Sequence, residues 1–238
     1  MTLYEKTWSE QKANETPRPK HYVQLLLGAA LPGNAYGSVS PNQNSGFALT
    51  GFAGQLSGGY LLTKHLGLSA ILGHYTSAIR KNEYLQNFLY QLSDENSYVN
   101  YIWAQKWQNH LFTIGPYFSF SQQKMLMEIY LQGGVVHSRL PKIVVSGFDG
   151  ENNFLHIQQP DSKLAFALTT GAGIGYLLPQ IKGLRLVVKA DIMGAIPGFS
   201  KTTELFTPNL NVRTTGYLRQ PVGAILLSTG IRYEFSSF

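Results

Sequence analysis

The chain has 238 residues and a net charge of +6, with 44% hydrophobic, 13% aromatic and only 13% charged residues, and it has no cysteine. So few charges among so many aromatics argue against disorder, and the missing thiols exclude disulfide scaffolds, Cys-ligated zinc, iron–sulfur clusters and thiol catalysis. The basic balance points first to nucleic acid, but Lys and Arg are scattered with no basic block, so no nucleic-acid partner is expected.

In chain order, residues 1–20 are polar, carry Pro17 and Pro19, and lack the apolar core of a signal peptide, so they read as a tail or linker. One domain is expected over 21–238. The apolar run at 25–31 (LLLGAAL) is far too short for a spanning helix, which needs ~20 residues. Period-two alternation predicts eight strands, at 22–31, 47–62, 66–79, 108–120, 125–139, 163–178, 184–196 and 222–235. Helical patterning is confined to 84–92, where Tyr84, Leu85, Phe88, Leu89 and Leu92 fall on one face. Short turns are expected at 63–65, 121–124 and 179–183, and long links at 32–46, 80–107, 140–162 and 198–221. Within the third link, Asp149-Gly150 is a turn signal that should fold 143–145 against 154–157 as a hairpin. An all-β, up-and-down antiparallel barrel of eight strands, with short turns at one end and long loops at the other, has the layout of a bacterial transmembrane β-barrel.

The chemistry of the two strand faces decides the solvent. In 222–235, Ile225, Leu227, Thr229, Ile231, Tyr233 and Phe235 oppose Ala224, Leu226, Ser228, Gly230, Arg232 and Glu234. The strand at 184–196 sets Leu184, Leu186, Val188 and Ile192 against Arg185, Lys189 and Asp191, and 125–139 sets Met127, Ile129 and Leu131 against Glu128, Tyr130 and Gln132. A soluble sheet would show its second face to water. The strand at 163–178 sets Leu164, Phe166, Leu168, Ile174 and Tyr176 against Ala165, Ala167, Thr169, Gly171, Gly173 and Gly175, so the second face is rich in small residues punctuated by charges, which suits a narrow lumen and leaves the bulky face to lipid. Closure leaves no strand edge in hydrocarbon. Two aromatic girdles are expected, from Tyr22, Tyr60, Phe118, Phe120, Tyr176, Tyr233 and Phe235 at the short-turn end, and from Tyr75, Trp107, Phe112 and Phe166 at the long-loop end.

On these features the chain resembles the eight-stranded bacterial outer-membrane β-barrel proteins. It looks most like the outer-membrane β-barrel domain common in Bacteroidetes, with the architecture of PorT-like secretion-associated proteins and OmpA/OmpX-type barrels. The most specific part is the terminal strand, whose final aromatic is the element the barrel assembly machinery reads in that group. The resemblance makes Tyr233, Phe235 and Phe238 the candidate assembly signal. Ser236, not an aromatic, stands two places before the last residue, so the pattern is matched from Phe235 or from Phe238. It also implies residence in the outer membrane, contact with its lipid, and a surface or secretion protein as partner.

Six inward charges are the candidate lumen network: Glu128, Arg185, Lys189, Asp191, Arg232 and Glu234, three basic and three acidic. Unpaired charges in a narrow interior are costly, so they are expected to form a salt-bridged plug. Catalysis fares worse. A lipid-modifying barrel enzyme needs a histidine and serine oriented by an acid, but His137 and Ser138 are adjacent and so point to opposite faces, as do His74 and Ser77. No histidine pair has metal-ligand spacing, and the glycines of 171–175 (GAGIG) lie on a strand with no helix to follow, which disfavours a phosphate loop. No catalytic residue, metal or cofactor is assigned. The long loops carry aromatics among Asn and Ser, a composition that suits either a contact surface or a loop packed on itself. The expected function is therefore non-enzymatic: structural, surface-interactive or secretion-accessory. The alternatives are a lipid-modifying barrel enzyme and a soluble calycin-like binding barrel.

Overall fold

The computed structural model describes residues 20–40, 45–92 and 96–235. Eight strands close into an antiparallel barrel: β1 (His21–Gly33), β2 (Gly51–Leu61), β3 (Leu66–Ser77), β5 (Trp107–Gln122), β6 (Met125–Leu140), β9 (Asp161–Leu177), β10 (Leu184–Ala195) and β13 (Val222–Phe235). Each barrel strand pairs with its neighbour in the chain among these eight, and β1 pairs with β13 from His21↔Phe235 to Gly33↔Gly223 to close the ring. Strands of 11 to 17 residues meet or exceed the ~9–11 needed to cross a bilayer.

Period two decides which side chains line the lumen. On β13, Ala224, Leu226, Ser228 and Arg232 are buried while Ile225, Leu227, Ile231 and Tyr233 are exposed. The same exposed row continues through Val23, Leu25 and Leu27, through Met127, Ile129 and Leu131, and through Leu186, Val188 and Ile192. The barrel is therefore inverted relative to a soluble one. Its large aliphatic side chains form an outer belt, and its polar residues are inside, a surface that water would not tolerate but hydrocarbon would.

The short turns join β2 to β3, β5 to β6 and β9 to β10. In the second, Gln123 takes a left-handed φ of 52°, and in the third Gly183 has φ 80° and lies against the backbone of Glu234. A side chain at 183 would combine backbone strain with a clash.

The long links do not remain loops. They build a second, five-stranded sheet in the order β12-β11-β8-β7-β4, from β4 (Tyr98–Ala104), β7 (Ile143–Phe148), β8 (Asn153–Gln158), β11 (Gly198–Thr207) and β12 (Leu210–Arg219). The β7–β8 hairpin is the one expected from Asp149-Gly150. The Asp149 Oδ1 accepts hydrogen bonds from the backbone N–H of Glu151 and Asn152, which hold its carboxyl below the usual range. The link at 198–221, expected as a long connection, is mostly the β11–β12 hairpin. Helix α1 (Asn34–Gly37) sits at the rim, and α2 (Lys81–Leu92) contains the expected helical segment.

The girdle assignment needs correcting at three positions. Tyr22, Tyr75 and Trp107 are buried in the interior, not displayed at an interface. Strand parity places them there. Val23 and Leu25 face out, so Tyr22 faces in, and Phe112 faces out, so Trp107, five residues earlier, faces in. Tyr60, Phe118, Phe120, Tyr176, Tyr233 and Phe235 at one end, and Phe112 and Phe166 toward the other, are exposed.

Candidate functional site

All six candidate charges point into the lumen, Glu128, Arg185, Arg232 and Glu234 toward the short-turn end and Lys189 and Asp191 near mid-strand, and the structure joins them through two clusters. In the first, Arg232 Nη1 on β13 donates to Glu128 Oε2 on β6 at 2.5 Å, each side chain being only 3% exposed. Arg232 Nε lies 3.2 Å from Glu234 Oε1, and Arg185 Nε on β10 lies 3.0 Å from Glu234 Oε2. Neither Nε–H is aligned for a hydrogen bond, so these two contacts are Coulombic. Arg185 spends its other nitrogens on the turn, donating to the Lys124 carbonyl at 3.0 Å and to Ser121 Oγ at 3.2 Å. The Arg232 guanidinium also stacks 3.6 Å from the centre of the Tyr22 ring.

The second cluster surrounds Asp191, which is fully buried. Its Oδ1 accepts from the Tyr130 hydroxyl and its Oδ2 from Gln55 Nε2 at 2.7 Å. Lys189 Nζ lies 4.0 Å from Asp191 Oδ1 and 4.1 Å from the centre of the Tyr130 ring. Three positive and three negative groups thus neutralise one another inside a low-dielectric space, where each alone would be expensive.

Strand β9 separates β6 from β10 in the barrel, and its inward positions here are Gly171, Gly173 and Gly175. A Cβ at Gly173 would stand 3.1 Å from Glu128 Oε1 and 3.5 Å from Lys189 Cγ. One at Gly171 would stand 2.6 Å from the Tyr130 hydroxyl and 2.8 Å from the Ala190 carbonyl. The GAGIG segment therefore clears the volume that the charged side chains of its two neighbours fill. Tyr22, Tyr130 and Gln55 complete the network, although the sequence pattern put Tyr22 in a girdle, named Tyr130 only for its face and gave Gln55 no role. Parity was the available signal: Tyr130 shares the face of Glu128, and Tyr22 that of Gln24.

Farther up, Gln132 donates to Ser69 Oγ at 2.7 Å and accepts from the Thr113 hydroxyl at 2.8 Å. Above this layer the interior turns apolar. Ala30, Tyr75, Trp107, Leu111, Met193 and Leu226 form one buried cluster with Val145, Phe154 and Phe199 of the outer sheet. The lumen, expected to be polar, carries its charges away from the long-loop end, where the interior is largely apolar, with Asn109, Ser77 and Ser138 buried among the apolar side chains. Small inward residues such as Ala53 and Ala167 make room at the rim for aromatic and aliphatic side chains.

Three histidines stand side by side on neighbouring strands, since His74 pairs with His110 and His110 with His137. Their rings face outward, with His74 and His110 Nδ1 atoms 3.3 Å apart. Ser138 and Ser77 are buried on the opposite face. Among the described residues, no group of three or more His, Asp or Glu is placed to hold a metal ion. Of the candidate assembly signal, Tyr233 and Phe235 face outward with ring centres 4.9 Å apart, and Phe238 lies outside the described residues.

No protein-family model matches the chain, and no curated protein matches it. Among solved structures, it is similar to Neisserial surface protein A (12% identity, TM-score 0.46, covering 92% of this chain and 100% of that one). It is similar also to a major outer membrane protein from Thermus thermophilus (15%, TM-score 0.46, 90% and 99%) and to the outer membrane protease OmpT from Escherichia coli (11%, TM-score 0.47, 93% and 99%). The narrower likeness to the Bacteroidetes domain and PorT-like proteins finds no support among these matches. At such identities and scores, the assignment of an eight-stranded antiparallel barrel of outer-membrane architecture rests on the strand pairing and closure described above.

Proposed function

We propose that the protein is a non-enzymatic outer-membrane β-barrel, closed to solutes by its own side chains, that holds a folded β-sheet cap at the cell surface. The observation carrying this reading is the inversion of the barrel: a belt dominated by exposed Leu, Ile, Val, Phe and Met encloses ion pairs that are almost wholly buried. Lipid satisfies the first and mutual pairing the second. In this orientation the short turns lie on the periplasmic side and the cap outside, where it serves as a structural or contact surface, or as an accessory to a secretion complex. The exposed terminal aromatics Tyr233 and Phe235 are the end of the strand offered to the barrel assembly machinery.

The test is planar-bilayer recording of the purified protein, alongside its behaviour in detergent. A folded barrel that needs detergent, migrates differently when heated and gives no steady conductance fits the proposal. A stable ion current through the unaltered protein, or a concentrated monomer without detergent, contradicts it.

A further inference from the structure

Where the cap meets the barrel rim, the structure contains a cavity of about 530 Å³, within the ~300–1,000 Å³ typical of small-molecule sites. Its lining is mixed: Phe47, Tyr84, Phe88, Trp107, Ile143 and Leu218 supply apolar and aromatic surface, and His156 of β8, Lys201 of β11 and Thr214 of β12 are among the polar members. A few polar groups in a lining rich in rings suit an amphipathic molecule.

Two observations show that the site is built rather than left over. Phe47 adopts a φ of 52°, a left-handed conformation that costs a bulky residue energy and that tends to mark functional sites. That backbone is held by hydrogen bonds from Phe47 N to the Ser38 carbonyl and from Arg80 N to the Phe47 carbonyl, and its ring meets Tyr84 edge-on at 5.4 Å. The second observation is Lys201. Its ammonium is largely withdrawn from water, which lowers its basicity, yet no carboxylate among the described residues lies within ion-pair distance of it. Instead its neighbour is His156, whose ring is packed against Phe88 at 4.9 Å. Burial, and next the positive charge of Lys201, push that imidazole down to about 4. It is thus neutral, and the cavity keeps a single uncompensated cation. Opposite Lys201 on the paired strand stands Gly216, where a Cβ would meet nothing within 4 Å.

We propose that this cavity binds an amphipathic organic anion, with its acid group at the Lys201 ammonium and its ring or chain against Phe88 and Trp107. Anion binding supplies the partner Lys201 lacks, and the aromatic part of the lining sets the preference for a hydrophobic body over a free inorganic anion. The site goes beyond the role of the barrel as anchor, and makes the cap a ligand-responsive surface.

The experiment is equilibrium dialysis of radiolabelled 2-naphthoate against lipid nanodiscs carrying the full chain, with empty nanodiscs subtracted. Saturable binding is expected. The neutral analogue 2-naphthamide should bind about tenfold more weakly, and Lys201→Met should weaken naphthoate binding about tenfold while leaving naphthamide unchanged. Gly216→Trp, which fills the cavity, should abolish binding of both. Lys182→Met removes the same charge in an exposed short turn at the other end of the barrel, and should change nothing. Heat-modifiable gel mobility confirms that each variant is folded. Naphthoate uptake no greater than in empty nanodiscs overturns the proposal, as does a folded Lys201→Met or Gly216→Trp protein that binds naphthoate as tightly as the unaltered one.

Discussion

Removing the Arg232 guanidinium tests the lumen network most severely. Arg232→Ala strips Glu128 of its ion-pair partner at 2.5 Å, and Glu128 and Arg232 are each only 3% exposed. Glu234 is less affected, because Arg185 stays 3.0 Å away. The effect is therefore that of one orphaned, nearly dry carboxylate, a loss of about 3–5 kcal/mol. The lost stacking on Tyr22 adds about 1 kcal/mol more. The cost should come from the unpaired charge rather than from the missing arginine itself. Glu128→Leu combined with Arg232→Met should accordingly return to within about 1 kcal/mol of the unaltered barrel. Guanidinium unfolding in lipid vesicles, followed by gel mobility and tryptophan emission, measures the unaltered barrel, Arg232→Ala and the double variant. An Arg232→Ala cost under about 1 kcal/mol, the value for a solvated pair, would refute the buried network. So would a double variant as damaged as Arg232→Ala alone.

Three further outcomes follow from the geometry. Gly173→Val puts its branched side chain where Glu128 and Lys189 lie, and should destabilise the barrel by about 1–3 kcal/mol in the same unfolding assay. Leu227→Arg, on the exposed face near the middle of β13, should cost about 2–4 kcal/mol in a bilayer and far less if that face meets water. The cap should loosen in acid. His156 is held at about 4 in the folded cap but titrates near 6.5 when exposed, so the open cap takes up a proton that the closed one refuses. Cap stability is then complete above about pH 7, falls as the pH drops from 6.5 towards 4, and has lost about 3 kcal/mol below that. Amide exchange in β8 and β11 should quicken over that window, whereas β6 and β13 should not respond, and His156→Phe should flatten the dependence.

The barrel was legible because each of its strands repeats one chemical contrast at every second residue. Ile225, Leu227, Ile231 and Tyr233 against Ser228, Arg232 and Glu234 is a pattern with one low-energy solution, since a one-residue slip would put arginine into lipid. The cap lacks such a contrast. Nine of the ten residues of β12 are exposed, and β4 alternates only between exposed and half-buried. Their pairing is decided by neighbours distant in the chain, as when β4 joins β7. The cavity was illegible for the same reason, being assembled from residues as far apart as Phe47, His156 and Lys201. Tyr22 and Trp107 show the opposite lesson. Their aromatic character suggested an interface, but parity with Val23 and Phe112 already assigned them inward.

The central claim is that the apolar face of the barrel contacts lipid, and the absence of cysteine permits a direct test. Single cysteines at successive positions 126–132 of β6, spin-labelled in liposomes, report collision with oxygen, which concentrates in hydrocarbon, and with a water-soluble nickel chelate. Oxygen access should peak at Met127, Ile129 and Leu131 and fall at Glu128, Tyr130 and Gln132, with nickel access low throughout. Nickel maxima at 127, 129 and 131 would place that face in water and contradict the account.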